Sequence, residues 1–186
     1  STQSRSSAAS DVYKRQTKKM KNLFYALFFV LFACTSPNTT PDMTLYNANL
    51  EIVKKAMACY ETPQDFETFK SLICESVKHQ SPMYGQGVVD YDGVMGQAQF
   101  YMNGFSIVKL EYAKWLPGVD TVNYQNNGSV RVYGTWTGTS NASGKEFAVD
   151  AYHYFYVKDG KITASGDYFD ATGMVMALAP DQYMAK

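Results

Sequence analysis

The segment GKITASGDYFD, residues 160–170, carries Asp167 near the end of an alternating run. Period-two alternation predicts a strand that leaves a Gly-Lys turn. It puts Thr163, Ser165, Asp167 and Phe169 on one face, and Ile162, Ala164, Gly166 and Tyr168 on the other. If the first face lines a pocket, Asp167 is a candidate general base, and a histidine within hydrogen-bond reach would orient it. The chain has two histidines, His79 and His153, and Asp167 with either would form a proton-transfer pair. His153 also reads as a hydrogen-bonded core residue, because it stands in the apolar row Phe147, Val149, Ala151, His153, Phe155, Val157. His79, beside Ser81-Pro82, reads equally as a loop anchor or a ligand contact. Asp170, at the strand end, reads as the cap of the next turn.

The elements that must hold these side chains follow from the pattern. Apolar residues at Leu50, Val53, Ala56, Met57 and Tyr60 predict a helix over 47–60, capped by Asn47 or Asn49. A second helix is predicted over 64–74, with Thr62 as its cap, Pro63 at its first position and Asp65 in its first turn. A short strand over 77–80, a glycine-rich loop over 83–93 and a helix over 94–105 come next. Gly85, Gly87 and Gly93 form no phosphate-binding signature. The remaining chain is β-branched and aromatic, with strands predicted over 107–115, 130–139, 147–157 and 162–169. The turns LPGVD, SNASGK and KDGK separate them. Helices first and strands later make the class α+β, one curved antiparallel sheet with helices on one face. On the third of these strands Tyr152, Tyr154 and Tyr156 share the face opposite His153, which suits a protein contact such as a homodimer. Trp115 and Trp136 read as core or pocket wall. Met174 and Met176 read as a plug for the open end.

The first 40 residues read differently. Residues 1–19 contain SSAASDVYKRQ, the translation of a sequencing adapter, and Met20 is the expected start. Residues 20–33 read as a secretory leader. Leu23 to Ala33 is an 11-residue apolar run, well short of the ~20 residues that span a bilayer. The run Leu31-Phe32-Ala33-Cys34 resembles a bacterial lipobox, which implies lipid on Cys34, a tether over 34–46 and a membrane-anchored periplasmic or cell-surface domain over 47–180. Six of the 17 basic residues but only one of the 17 acidic residues precede Cys34, which leaves that domain at −5. Such a charge, with no basic run, argues against nucleic acid as a partner. Cys59 and Cys74, expected on adjacent helices, could pair in an oxidising compartment or stay as free thiols. No metal or cofactor signature is present. Asn-x-Ser/Thr triplets at Asn38, Asn127 and Asn141 read as chance.

The run RVYGTWTGTSNASGKEFAVDAYHYFYVKDGKITASGDYFDATG resembles the second half of a SnoaL-like domain of the nuclear transport factor 2-like superfamily, and the HQSPMYG loop and helical first half agree. The resemblance implies a cone, in which a bent antiparallel sheet wraps a pocket closed by N-terminal helices. It places His79 at the pocket mouth and implies dimerisation through the outer sheet face. In limonene-epoxide-hydrolase-like members an acid at the place of Asp167 acts as base. Those enzymes also need an Arg and a second acid two residues apart, where this chain has Arg131-Val132-Tyr133. Ketosteroid-isomerase-like chemistry would need a tyrosine donor, for which Tyr84, Tyr91 and Tyr101 are the choices. The leading expectation is non-catalytic binding of a small, mostly hydrophobic molecule, with contacts from Asp167, His153, His79, Tyr84, Tyr101, Trp115, Trp136 and Phe155. The alternatives are an isomerase, cyclase or hydrolase with Asp167 as base, and an interaction module using the tyrosine face.

Overall fold

The computed structural model describes residues 41–181. The expected leader, the lipidation site at Cys34 and most of the expected tether lie outside the described residues.

Helix α1 (Thr44–Ala58) buries Tyr46, Val53, Ala56 and Met57. It starts before residue 47, so the expected tether ends earlier than residue 46. Asn49 is no cap. It faces inward, and its side-chain amide donates to the Gly128 carbonyl at 2.8 Å, which pins the helix to the sheet. Helix α2 (Phe66–Leu72) is shorter than the 64–74 expected. Its cap is Asp65, whose carboxylate accepts from the Thr68 amide at 2.9 Å. Thr62 is drawn off instead to accept from the Val108 amide at 2.9 Å.

The chain turns extended at Ile73 and enters strand β1 (Ile73–Gln80) directly. Cys74 therefore lies on a strand, not on the helix expected for it, and both Cys59 and Cys74 are free thiols. Strand β2 (Val88–Val89) folds back from the glycine loop. Helix α3 (Tyr91–Gly104) is capped by Asp90. Then come β3 (Phe105–Val119), β4 (Asn126–Ser140), β5 (Glu146–Lys158), β6 (Lys161–Tyr168) and helix α4 (Ala171–Ala177). Asp170, expected to cap a turn, caps the helix α4 by accepting from the Gly173 amide at 2.9 Å.

The six strands form one sheet in the order β2-β1-β6-β5-β4-β3. The sheet is mixed rather than wholly antiparallel, because β1 runs parallel to β6. The LPGVD turn is an extension of β3, and the true turn follows it. There the Asp120 carboxylate accepts from the amides of Val122 and Asn123 at 2.9 and 3.1 Å. Pro117 is tolerated because β3 is an edge strand with one unpaired side. Three register shifts interrupt β3, between Ser106 and Lys109, between Glu111 and Lys114, and between Pro117 and Val119. Within the first two, Ile107 and Tyr112 take φ of 54° and 56°, a left-handed conformation that is strained for a β-branched or bulky residue.

The helices cover the concave face. Val53 and Ala56 of α1, Val77 of β1, Val130 and Val132 of β4 and Ile162 of β6 form the main core, each at most 1% exposed. A smaller cluster of Phe105, Val108 and Leu178 closes the other end, with Tyr101, Trp136, Phe147 and Met174 against it.

Candidate functional site

Three adjacent strands bring the chemistry together. Across β5 and β6, His153 lies directly opposite Asp167, and across β1 and β6, His79 lies opposite Ser165. Directly opposed side chains on one sheet face sit within contact range, so two cross-strand pairs place four polar side chains on the concave face.

That alignment depends on an irregularity. Next to the KDGK turn, Val157 pairs with Ile162, but beyond a register shift Tyr156 pairs with Ala164. Without the extra residue, His153 would oppose Gly166. The bulge also breaks the strict alternation expected for β6. Ile162 turns into the core at 0% exposure instead of sharing the outer face with Tyr168. Thr163, expected inward, bonds through its hydroxyl to the Tyr156 carbonyl at 3.4 Å.

The four side chains form one hydrogen-bond network with two helical or sheet neighbours. His153 Nδ1 is 2.7 Å from Asp167 Oδ1. On the other side of the ring, the Trp136 indole N–H donates to His153 Nε2 at 3.0 Å. An indole nitrogen can only donate, so Nε2 accepts and Nδ1 carries the proton to the carboxylate. Gln97 on α3 donates from Nε2 to Asp167 Oδ2 at 2.8 Å and lies 3.1 Å from His79 Nε2. His79 Nδ1 meets the Ser165 hydroxyl at 2.9 Å. With its amide N–H facing His79 Nε2, Gln97 makes that nitrogen the acceptor, so His79 Nδ1 donates to Ser165. Both imidazoles are thereby held in one orientation, each with a defined ring nitrogen toward Asp167 or Gln97.

Burial pushes the Asp167 carboxyl up, but the His153 ring first, then His79 and the Gln97 amide, outweigh it and hold the group below the usual carboxylate range. Asp167 is thus an ionised acceptor with a donor on each oxygen, and its side chain keeps 15% exposure.

This network forms one wall of a cavity of about 90 Å³, several times the space that one water needs. The rest of the wall is aromatic and aliphatic. The apolar row expected on β5 supplies Phe147, Val149 and Phe155 alongside His153, and Phe169 and Met174 close the C-terminal side. Tyr60, Tyr101 and Trp136 also line it. Burial first, and then the Asp167 charge, drives both the Tyr60 and the Tyr101 phenol strongly upward.

Of the expected contacts, Asp167, His153, His79, Tyr101, Trp136 and Phe155 all line this one cavity. Tyr84 does not. It is 95% exposed, on the 81–87 loop, beside an outer groove that Asp167 also borders. Tyr91 is half-buried against the main core instead. Trp115 is core rather than pocket wall, since its register partner is Val132, which is fully buried. Met176 is 63% exposed. On the two-turn helix α4, Met174 points inward, and a residue two positions on falls on the opposite side.

Three polar members of the site are absent from the sequence expectation. Gln97 is three residues after Val94 and four before Tyr101, so it occupies the inward stripe of α3, and a polar residue on that stripe was its signal. Tyr60 belongs to the apolar face of the helix expected over 47–60, and the structure places it just past the end of α1, against the cavity. Ser165 shared a face with Asp167 but had no visible partner until β1 was placed beside β6.

The tyrosine row lies on the convex face. Tyr152 packs against Tyr133 and Tyr168 at ring separations of 4.8 and 5.8 Å. The Arg131 guanidinium lies over Tyr154 and Tyr156 at 5.5 and 5.2 Å.

No protein-family model matches the chain, and no curated protein matches it. Solved structures do. A candidate polyketide cyclase from Xanthomonas campestris pv. campestris aligns with a TM-score of 0.58 at 12% identity, covering 73% of this chain and 100% of its own. An NTF2-like protein from Burkholderia xenovorans LB400 aligns at 0.52 and 19% identity, covering 71% and 96%. AclR, a candidate hydroxylase from Streptomyces galilaeus, aligns at 0.58 and 13%, covering 73% and 82%. Together with the curved sheet, the helices on its concave face and the cavity between them, these likenesses give residues 41–181 the cone-shaped nuclear transport factor 2-like fold.

Proposed function

We propose that the domain binds a small, mostly hydrophobic molecule in the cone without transforming it. The observation that carries this reading is Asp167 itself. It opens on an apolar cavity, yet each of its oxygens already accepts a hydrogen bond, from His153 and from Gln97. A carboxylate satisfied in this way and held low is a weak base, whereas catalytic carboxylates of this kind are tuned upward. Its role here is to organise the polar wall. The lipobox-like Cys34 supports the further reading that this binding domain is held at a bacterial membrane surface.

The test is a titration of the full chain with toluene, followed by two-dimensional NMR of backbone amides and the Trp136 indole. Saturable shifts around the cavity, lost when Val149→Trp fills it, are the expected result. No shifts in the parent protein would sink the proposal.

The Asp167–His153 pair favours a second reading, acid–base chemistry at carbon next to a carbonyl, and several proteins of like fold carry names such as cyclase and isomerase. In that case the protein would accelerate deuterium uptake at the α-carbon of cyclohexanone in heavy water, and Asp167→Asn would abolish it. A binding protein leaves that rate at its buffer value.

A further inference from the structure

The Tyr101 hydroxyl is the single buried side-chain polar atom without a hydrogen-bond partner among the described residues. A buried hydroxyl left unpaired loses its water without gaining a partner, so an orphan of this kind calls for an explanation. The ring is not free to swing toward water. It stacks on Phe105 at 6.1 Å, meets Phe100 edge-on at 5.1 Å and packs against Phe169 at 6.2 Å. It is also part of the cavity wall. Every other polar group that faces the cavity from the sheet or from α3 is already engaged within the network, as His79, His153, Gln97, Ser165 and Asp167 show.

Charge narrows the choice further. None of the wall side chains is Lys or Arg. An anion entering the cavity would shed its hydration without a countercharge and would face the ionised Asp167. A cation would shed its hydration against a carboxylate whose charge is already shared with two donors. The phenol, driven upward by burial and then by Asp167, keeps its proton and is a donor at any ordinary pH.

We infer that the ligand of the cone is an uncharged molecule carrying a carbonyl or ether oxygen, which accepts a hydrogen bond from Tyr101 while its apolar body fills the aromatic cavity. This rests on the cavity-binding reading above and narrows it to one ligand chemistry. Tyr101 then discriminates ligands by an acceptor, and the Asp167 network by rejecting anions.

Four one-ring probes test it on the full chain: acetophenone, cumene (the same shape without the carbonyl), benzoate and benzylammonium. Affinities come from NMR titration of the parent protein and of Tyr101→Phe, which removes one oxygen atom. The expected result is that the ratio of acetophenone to cumene affinity falls about tenfold in the variant. Cumene should bind the variant at least as well as the parent, which reports an intact cavity. Benzoate and benzylammonium should bind the parent more weakly than acetophenone. An unchanged ratio overturns the inference while leaving cavity binding in place. So does a charged probe that binds more tightly than acetophenone. If neither cumene nor acetophenone binds the parent, the cavity-binding reading fails and takes this inference with it.

Discussion

Trp136 stands behind His153, and its indole N–H occupies Nε2 at 3.0 Å, so that Nδ1 is the nitrogen left to face Asp167. One residue that could be taken for pocket wall thus decides which way a histidine presents its proton. Removing that N–H with Trp136→Phe leaves Nε2 unsatisfied. We expect the ¹⁵N spectrum of His153 to lose its single-tautomer signature, and stability in urea to fall by about 1 kcal/mol. A tautomer that survives the substitution would mean that Asp167 alone sets it.

Asp167 sits lower in the folded chain than an unfolded aspartate, after burial is outweighed by its histidine and glutamine neighbours. A depressed carboxyl contributes stability that is complete above the unfolded value, about 3.9, and is lost as pH falls through the folded value. The urea midpoint should therefore drop between about pH 5 and strongly acidic conditions. Part of that drop should be missing in Asp167→Asn, while at neutral pH the variant is the less stable protein. Parallel pH profiles for the two proteins would contradict this.

Gln97 bridges Asp167 Oδ2 and His79 Nε2, two atoms that would otherwise lack a donor. In Gln97→Leu the unpaired Asp167 oxygen and His79 Nε2 should together cost about 1–3 kcal/mol. Gln97→Glu should behave differently, because a second carboxylate at this spot forces one of the pair to retain its proton. Its stability should recover as pH falls toward 5, where the leucine variant shows no recovery. Chemical denaturation at two pH values reads both effects.

The tyrosine face predicts an oligomer. If a second copy of the chain covers Tyr152, Tyr154 and Tyr156, sedimentation should show a dimer at micromolar concentration. Tyr156→Glu, at a ring that is 40% exposed, should shift it to monomer without altering the cavity. A monomeric parent protein would remove the outer face from consideration.

The order of the main helices and strands and the two faces of β5 were legible in the sequence because alternation and turn chemistry are local signals, whereas β2 and α4 were not expected. What alternation cannot give is register. The tight KDGK turn alone would align His153 with Gly166, and only the bulge beside Tyr156 moves it onto Asp167. The parallel pairing of β1 with β6, which brings His79 to Ser165, joins residues far apart in the chain and leaves no short-range mark. Gln97 was hidden for a different reason. Its place on an inward helical stripe was visible, but its partners belong to strands still to come. Trp115 and Tyr84 stand among the expected ligand contacts on residue type, but their placement depends on the irregular β3 edge and on an outer loop.

The bulges at Ile107 and Tyr112 bear on how the protein behaves when crowded. A sheet with open margins can recruit strands from neighbouring molecules and seed aggregates. Here one margin is β2, two residues long. The other is β3, fifteen residues long, with Ile107, Tyr112, Leu116 and Val119 all exposed. Two left-handed residues and the amide-free Pro117 interrupt the straight row of hydrogen-bonding groups that an incoming strand would need. The strain held at Ile107 and Tyr112 thus guards a sticky margin against uncontrolled self-assembly.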